Sequence, residues 1–428
     1  MEESEKIRKY RHFETYEVPP TMKAVVFKGL GFKDLAVEEV PVPAVGKNQL
    51  LCRVDAAGVC TSIIKILAQG KEHKYFNGWD PARYPVILGD EGSVTVVKVG
   101  ENLKDRYRVG ERYGIQPAVD IEPINFRERY RDNARGMKKC AVGYTLGGNL
   151  AQYILIMEEV LEAGCLIPLP ADLPYFAVSM GEPISCVYSG QERNIHLYKK
   201  DPLSPRIPKL GFLVGGTGVV IGAGVMGRIH VEMAMRFRPR NLIVSDINRE
   251  RLKKVERQLG NKARRLGINL VTVGAEELGK KVFELSGGNG ADDVILAVGV
   301  QAVQQDAFGL LGKGGVINLF GGLPKGKNIL QLDAIQVHYD EIKVVGSSGG
   351  EPSDIIATLK AMADGDIDPG NYVYGVGVLD HAPMILKGIE ENRVDGKAIL
   401  YPHISLKDFR RVEYWDGKME EELLGKWL

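Results

Sequence analysis

The chain has 428 residues, and its 56 lysines and arginines nearly cancel 55 aspartates and glutamates, so the charge excess of a polyanion-binding surface or a disordered tail is absent. With 44% hydrophobic and 26% charged residues, it has the make-up of a folded protein of two or three domains. No run approaches the roughly 18 consecutive apolar residues of a membrane span, and the start, MEESEKIRKYRHFETY, lacks an apolar signal core; a cytoplasmic protein contacting neither nucleic acid nor membrane is expected.

From Met22, short β-rich runs (KAVVFKG, QLLCRVDAAGV, YPVILGDEGSVTVVKVG) alternate with Gly and Pro, as in a small barrel or sandwich. The arginine-rich stretch Ala118 to Tyr144 has no sustained apolar face and reads as a surface lobe. A helix is expected from near Pro174 through Glu182-Pro183, followed by a proline-rich linker, DPLSPRIPK. From Gly218 the pattern changes to apolar strands alternating with amphipathic helices: TGVVIGAG, a helix through His230 and Phe237, NLIVSD, a charged helix from Arg249, INLVTV, DDVILAVG and GGVINLFGG. That is the βαβ signature of a doubly wound parallel sheet. The tail, with the helical DIIATLKAMADG and the strand KAILYPHI, is expected to return to the first domain. The expected division is residues 1–190 with 350–428, and 191–349.

Gly222-Ala223-Gly224-Val225-Met226-Gly227 matches G-x-G-x-x-G directly after the strand TGVVI and opens a helical pattern. The first Gly permits the tight turn, the second the approach of backbone to a pyrophosphate, and the third close helix–strand packing, with the helix N-terminus facing the anion. Asp246 stands 19 residues beyond Gly227, where a carboxylate accepts hydrogen bonds from an adenosine ribose and repels a 2′-phosphate. NAD is favoured over NADP, with Arg249 and Arg251 close enough to leave NADP open. Val298 and Gly299, ending DDVILAVG, join the expected cofactor-binding residues.

Two blocks of motifs then lock together in order and spacing: AAGVCTS, PVILGDE, VGERYGIQP, GGNLAQYILI and GEPIS ahead of the nucleotide loop, and GGNGADDVILAVG after it. Over roughly Lys23 to Leu400 the chain resembles the medium-chain, zinc-type alcohol and polyol dehydrogenases. GDE, EPIS and VHYDEIKVVGSSGG draw it toward their sugar-alcohol branch, particularly the L-sorbose-1-phosphate reductases. The resemblance implies a GroES-like β-barrel catalytic domain and a Rossmann domain holding the nicotinamide cofactor, with homo-oligomers (dimer or tetramer) expected.

In that family the Cys of a C-x-[ST] segment and the His of G-H-E bind a catalytic zinc, which lowers the cost of forming the alkoxide that donates hydride. The resemblance makes Cys60 the first ligand and puts Asp90, followed by Glu91, at the His position. Glu182 matches the family's glutamate beside the metal, as ligand or exchange partner. The implied set is Cys60, Asp90, Glu91 and Glu182, and Ser62 matches the hydroxyl that receives the substrate's proton. Three anionic ligands make a poorer Lewis acid than a Cys and His set. Ile63 stands where the family often has an Asp that orients a ligand His, a partner with no role once that His is gone.

The alternative reading is a core thiol at Cys60 and a plain turn at Asp90-Glu91. Lys65 stands where relatives place a relay His but reads as a solvated helix residue, and His73 and His338 carry little weight alone. The family's structural zinc needs four closely spaced Cys in the lobe, which has only Cys140, so no structural zinc is expected. Cys52, Cys165 and Cys186 read as small buried hydrophobes, and five Cys at irregular spacing argue against a disulfide framework. Lys71, Lys74 and Arg83, and Arg127, Arg129, Arg131 and Arg135 in the lobe, are candidates for holding a sugar phosphate against the plainer reading of charged surface loops.

The expected activity is NAD(P)-dependent hydride transfer between nicotinamide and a secondary alcohol or ketone of a polyol or sugar phosphate, such as sorbitol 6-phosphate and L-sorbose 1-phosphate. The alternatives are a zinc-free enone or quinone reductase and a dinucleotide-binding sensor without turnover.

Overall fold

The computed structural model describes residues 5–76, 80–119 and 140–428. By chain packing there are two compact units, Met1–Pro183 with Glu351–Leu428, and Ile184–Gly350. The first break falls within the helix Gly181–Glu192.

The first unit is a GroES-like β structure built on an eight-stranded sheet. At its centre lies β1 (Leu50–Gly58), with all nine residues buried, which explains why QLLCRVDAAGV reads as a nearly unbroken apolar run. A short helix, α1 (Ser62–Gln69), follows. β1 pairs antiparallel with β2 (Glu91–Val99), setting Gly58 opposite Glu91. The strand Lys397–Leu400, from the far end of the chain, pairs with the same end of β1 through Ile399 and Gly58. Three segments distant in sequence thus meet at one corner of the sheet. Beneath them Val25, Phe27, Leu50, Cys52, Val54, Leu88, Val94, Val96 and Ile154 form a core, where Cys52 acts as a small hydrophobe.

The tail is tied into this unit by a buried polar chain. Trp415 Nε1 donates to Tyr401 Oη at 2.9 Å, and Tyr401 donates to Glu420 at 2.8 Å. Glu420 also accepts the backbone N–H groups of Tyr175 and Phe176, each at 2.7 Å. Burial pushes its carboxyl up to about 7, against the partial relief of these donors. Folded Glu420 therefore binds its proton more tightly than the unfolded chain does. Its stabilisation is complete below the ordinary value of 4.5 and is lost as pH rises through about 7. Glu420→Gln should flatten that part of the melting-temperature profile between pH 8 and 5; a wild-type and variant pair with parallel profiles would show that Glu420 does not titrate there.

The second unit carries a six-stranded parallel sheet. Its elements are β3 (Thr217–Ile221), α2 (Val225–Ala234), β4 (Asn241–Ser245), α3 (Arg249–Arg265), β5 (Asn269–Val273), β6 (Ala291–Leu296), β7 (Leu311–Asn318) and β8 (Lys343–Val345). The strand order β5-β4-β3-β6-β7-β8 is that of a Rossmann fold, with the switch point beside β3. The expected linker differs: Ile207–Leu210 forms a strand paired with Ile195–Tyr198. Pro208 is tolerated there because a two-stranded ribbon leaves each strand an open edge.

Candidate active site

Cys60 and Ser62 sit where the chain leaves β1 and enters α1, whose Ile63, Ile66 and Leu67 are buried. That apolar face anchors the turn. Ile63 is core, and Lys65 is exposed.

The opposite wall depends on three glycines that let two turns pass in backbone contact. A Cβ on Gly89 (φ +107°) would lie 2.6 Å from Leu150 N, one on Gly143 (φ +81°) 2.6 Å from Gly89 O, and one on Gly148 2.3 Å from Leu88 O. No other residue fits such approaches. They bring Asp90, Glu91 and Tyr144 to the Cys60 turn.

One candidate ligand atom from each of Cys60, Asp90 and Glu91 lies within 4.8 Å of the other two. Ser62 Oγ donates to Asp90 Oδ2 at 2.8 Å, and Tyr144 Oη donates to the same oxygen at 3.4 Å. Glu91 Oε1 accepts a hydrogen bond from Lys397 Nζ. The second oxygens, Asp90 Oδ1 and Glu91 Oε2, are buried with no hydrogen-bond partner. Gly58 provides the room for Glu91, since a Cβ there would lie 1.9 Å from Oε2.

Burial, and then the Asp90 charge, push the Cys60 thiol well up, and burial likewise raises the Glu91 carboxyl while Lys397 opposes the rise. Burial would lower Lys397, but Glu91 and Cys60 together hold it above its usual range, so it stays an ammonium. Tyr144 is raised by burial and then by Asp90, which keeps the phenol a donor.

A divalent cation fits this donor set. Two orphaned carboxylate oxygens, costly to leave buried and unpaired, converge with the Cys60 thiol, and the mixture of sulfur and oxygen suits a zinc-like ion. Lys397 offsets one of the three negative charges. Glu182 stands outside the close trio, though its charge still acts on Cys60, Lys397 and Tyr144.

Sequence reasoning missed Lys397 and Tyr144. A buried-strand lysine in KAILYPHI was the available signal for the first; nothing local marked the second. His73 is buried against Tyr75, Phe76 and Tyr144, and His338 is exposed. Lys71 and Arg83 are exposed; the Lys74 side chain and Arg127, Arg129, Arg131 and Arg135 lie outside the described residues. The five cysteines form no disulfide.

In the second unit, Gly222 turns at φ +103°, and a Cβ there would lie 2.6 Å from the Val298 side chain. A Cβ on Gly227 would lie 1.7 Å from Gly222 O, so helix and loop close only on glycine. Gly224 caps α2, leaving Val225 and Met226 in its first turn and its amide end toward an anion. The Asp246 carboxylate, 9% exposed, accepts Ala223 N and Asn248 N, each at 2.7 Å, which fixes it beside the loop with lone pairs remaining. Arg251 approaches it to 4.0 Å. Gly299 packs against Gly322 O, keeping the Val298 turn beside Gly222.

Two family models match the chain, an alcohol dehydrogenase GroES-like domain at residues 46–170 and a zinc-binding dehydrogenase at 224–364. The chain is 31% identical over 391 residues to the mannitol-1-phosphate 5-dehydrogenase of Aliivibrio fischeri, covering 88% of this chain and 86% of that protein. It is 28% identical to the L-sorbose 1-phosphate reductase of Klebsiella pneumoniae, over 78% and 77% of the two chains. Galactitol-1-phosphate dehydrogenase from Escherichia coli superposes with a TM-score of 0.68 at 18% identity, over 89% of this chain and 100% of that one, a likeness of fold. Among the described residues, no helix is long and apolar enough to cross a membrane.

Proposed function

We propose that this chain, which belongs to the medium-chain, zinc-type alcohol and polyol dehydrogenase family, moves a hydride between a nicotinamide dinucleotide and a secondary alcohol or ketone of a polyol phosphate. The observation that carries the reading is the convergence of half-buried Cys60 with buried Asp90 and Glu91, with an orphaned oxygen on each carboxylate.

Cys60, Asp90 and Glu91 would hold the cation, with Glu182 as a nearby ligand or exchange partner. A bound divalent ion supplies Lewis-acid polarisation of the substrate oxygen. Gly222, Gly224, Val225, Met226, Gly227, Val298 and Gly299 would hold a dinucleotide, which when bound would supply the hydride chemistry, and Asp246 would favour NAD through its ribose. Ser62 directs its proton to Asp90, leaving the Oγ lone pairs to accept a hydrogen bond from the alcohol. Lys397 holds Glu91 and keeps the acidic corner from repelling an alcohol losing its proton.

The phosphorylated substrate class is supported by the names of the relatives, with exposed Lys71 and Arg83 as candidate phosphate contacts. A homo-oligomer is part of the proposal, supported by exposed Ile329, Leu332, Ile335, Tyr339 and Val344 beside the edge strand β8. A cytoplasmic setting is supported by the absence of disulfides among five cysteines.

Nicotinamide reduction measured with sorbitol 6-phosphate, mannitol 1-phosphate and the free polyols should be faster with the phosphates and with NAD than with NADP, and should fall on chelation and return with zinc. No turnover with any of these substrates would sink the proposal in favour of a sensor. Turnover that withstands chelation would point to the metal-free reductase.

A further inference from the structure

Tyr144 lies 54 residues from Asp90 in sequence and belongs to no recognised motif, yet its ring is nearly inaccessible at 6% exposure. It packs edge-on against Tyr75, with centroids 5.4 Å apart at 85°, and lies 5.4 Å from the His73 ring at 31°. Beneath it, the contact of Gly143 with Gly89 fixes the backbone one residue before Tyr144 against the residue before Asp90. Both the ring and its main chain are therefore held, and the phenol has little freedom to turn away.

We infer that Tyr144 is a positioning residue that works with Ser62 to make a carboxylate serve as a metal ligand at this site. The inference rests on the metal-site reading above. Two hydroxyl groups donate to one oxygen of Asp90, at 2.8 and 3.4 Å, while the other oxygen is buried and unpartnered. A carboxylate rotates about its Cβ–Cγ bond, and two donors on Oδ2 suppress that rotation and aim Oδ1 at one place. They also draw charge from Asp90, where three anionic groups would crowd around a bound ion and weaken its Lewis acidity. Outer partners of this kind orient the ligand and tune the metal, and their loss typically costs about 10–100-fold in affinity.

The test uses the full chain stripped of metal and titrated with Co²⁺ against a competing chelator, following the visible absorption of the cobalt–thiolate site. Wild type, Tyr144→Phe, Ser62→Ala and the double variant are compared, with circular dichroism of the metal-free forms as the check on folding. Tyr144→Phe is expected to weaken Co²⁺ binding about tenfold and to shift the absorption bands. The double variant should lose less than the product of the two single losses, since both donors act on the same oxygen. A purely packing role would leave the bands in place and let the two losses multiply. Unchanged affinity and spectrum in Tyr144→Phe, or strict multiplicativity, overturns the inference while leaving the metal site intact. Wild-type protein that binds no Co²⁺ overturns the metal site and the inference together.

Discussion

Cys60→Ala should reduce the metal content of the purified protein to less than about a tenth of wild type and lower kcat/KM for polyol phosphate oxidation by about 10³-fold or more, the scale of several kcal/mol of lost Lewis-acid stabilisation. The trio has only one sulfur donor, and the two carboxylates that remain are a weaker site for a zinc-like ion. Cys60 is half-buried at the mouth of α1 rather than deep in the core, so removing one thiol leaves little cavity and the fold should survive. Metal analysis and steady-state kinetics on the same preparation decide the matter, with chelated and zinc-restored wild type as reference. Zinc should restore wild type and not the variant. A Cys60→Ala protein with full metal and undiminished turnover would make Cys60 an ordinary thiol and return the enone or quinone reductase reading to the front.

The largest effect on stability is expected at Lys397. Its ammonium is buried against Glu91, with side chains 6% and 0% exposed. A buried ion pair contributes little net stability when intact, but removing one partner strands the other charge, at a typical cost of about 3–5 kcal/mol. Lys397→Met should therefore lower unfolding stability by about that amount, measured by denaturant titration of the metal-stripped protein. The double variant Glu91→Gln with Lys397→Met should recover most of the loss, because no uncompensated charge is left behind. It should not recover metal affinity, since the carboxylate oxygen beside Gly58 is gone. Equal destabilisation in the single and double variants would mean that packing of the lysine stem, not its charge, holds this corner.

Much of the Rossmann unit could be read from the chain. The alternation of apolar strands with amphipathic helices is a local periodicity, and the Gly222 to Gly227 spacing states the demands of one turn whose contacts all fall within a few residues. The same holds for Cys60 with Ser62 and for Asp90 with Glu91, pairs set by a single turn each. DPLSPRIPK misled because proline marks a strand edge as readily as a linker, and only a pairing partner distinguishes the two.

What only the tertiary structure decided is which distant groups complete the site. Lys397 is 306 residues from Glu91, and it arrives because the strand Lys397–Leu400 takes its place beside Gly58 in the sheet. Tyr144 reaches Asp90 because three glycines allow two turns to touch. Strand order, register and backbone contact across hundreds of residues leave no period or spacing in the sequence, so the residue types of the site were determined by the chain alone, while the partners that hold and neutralise them were determined by the fold.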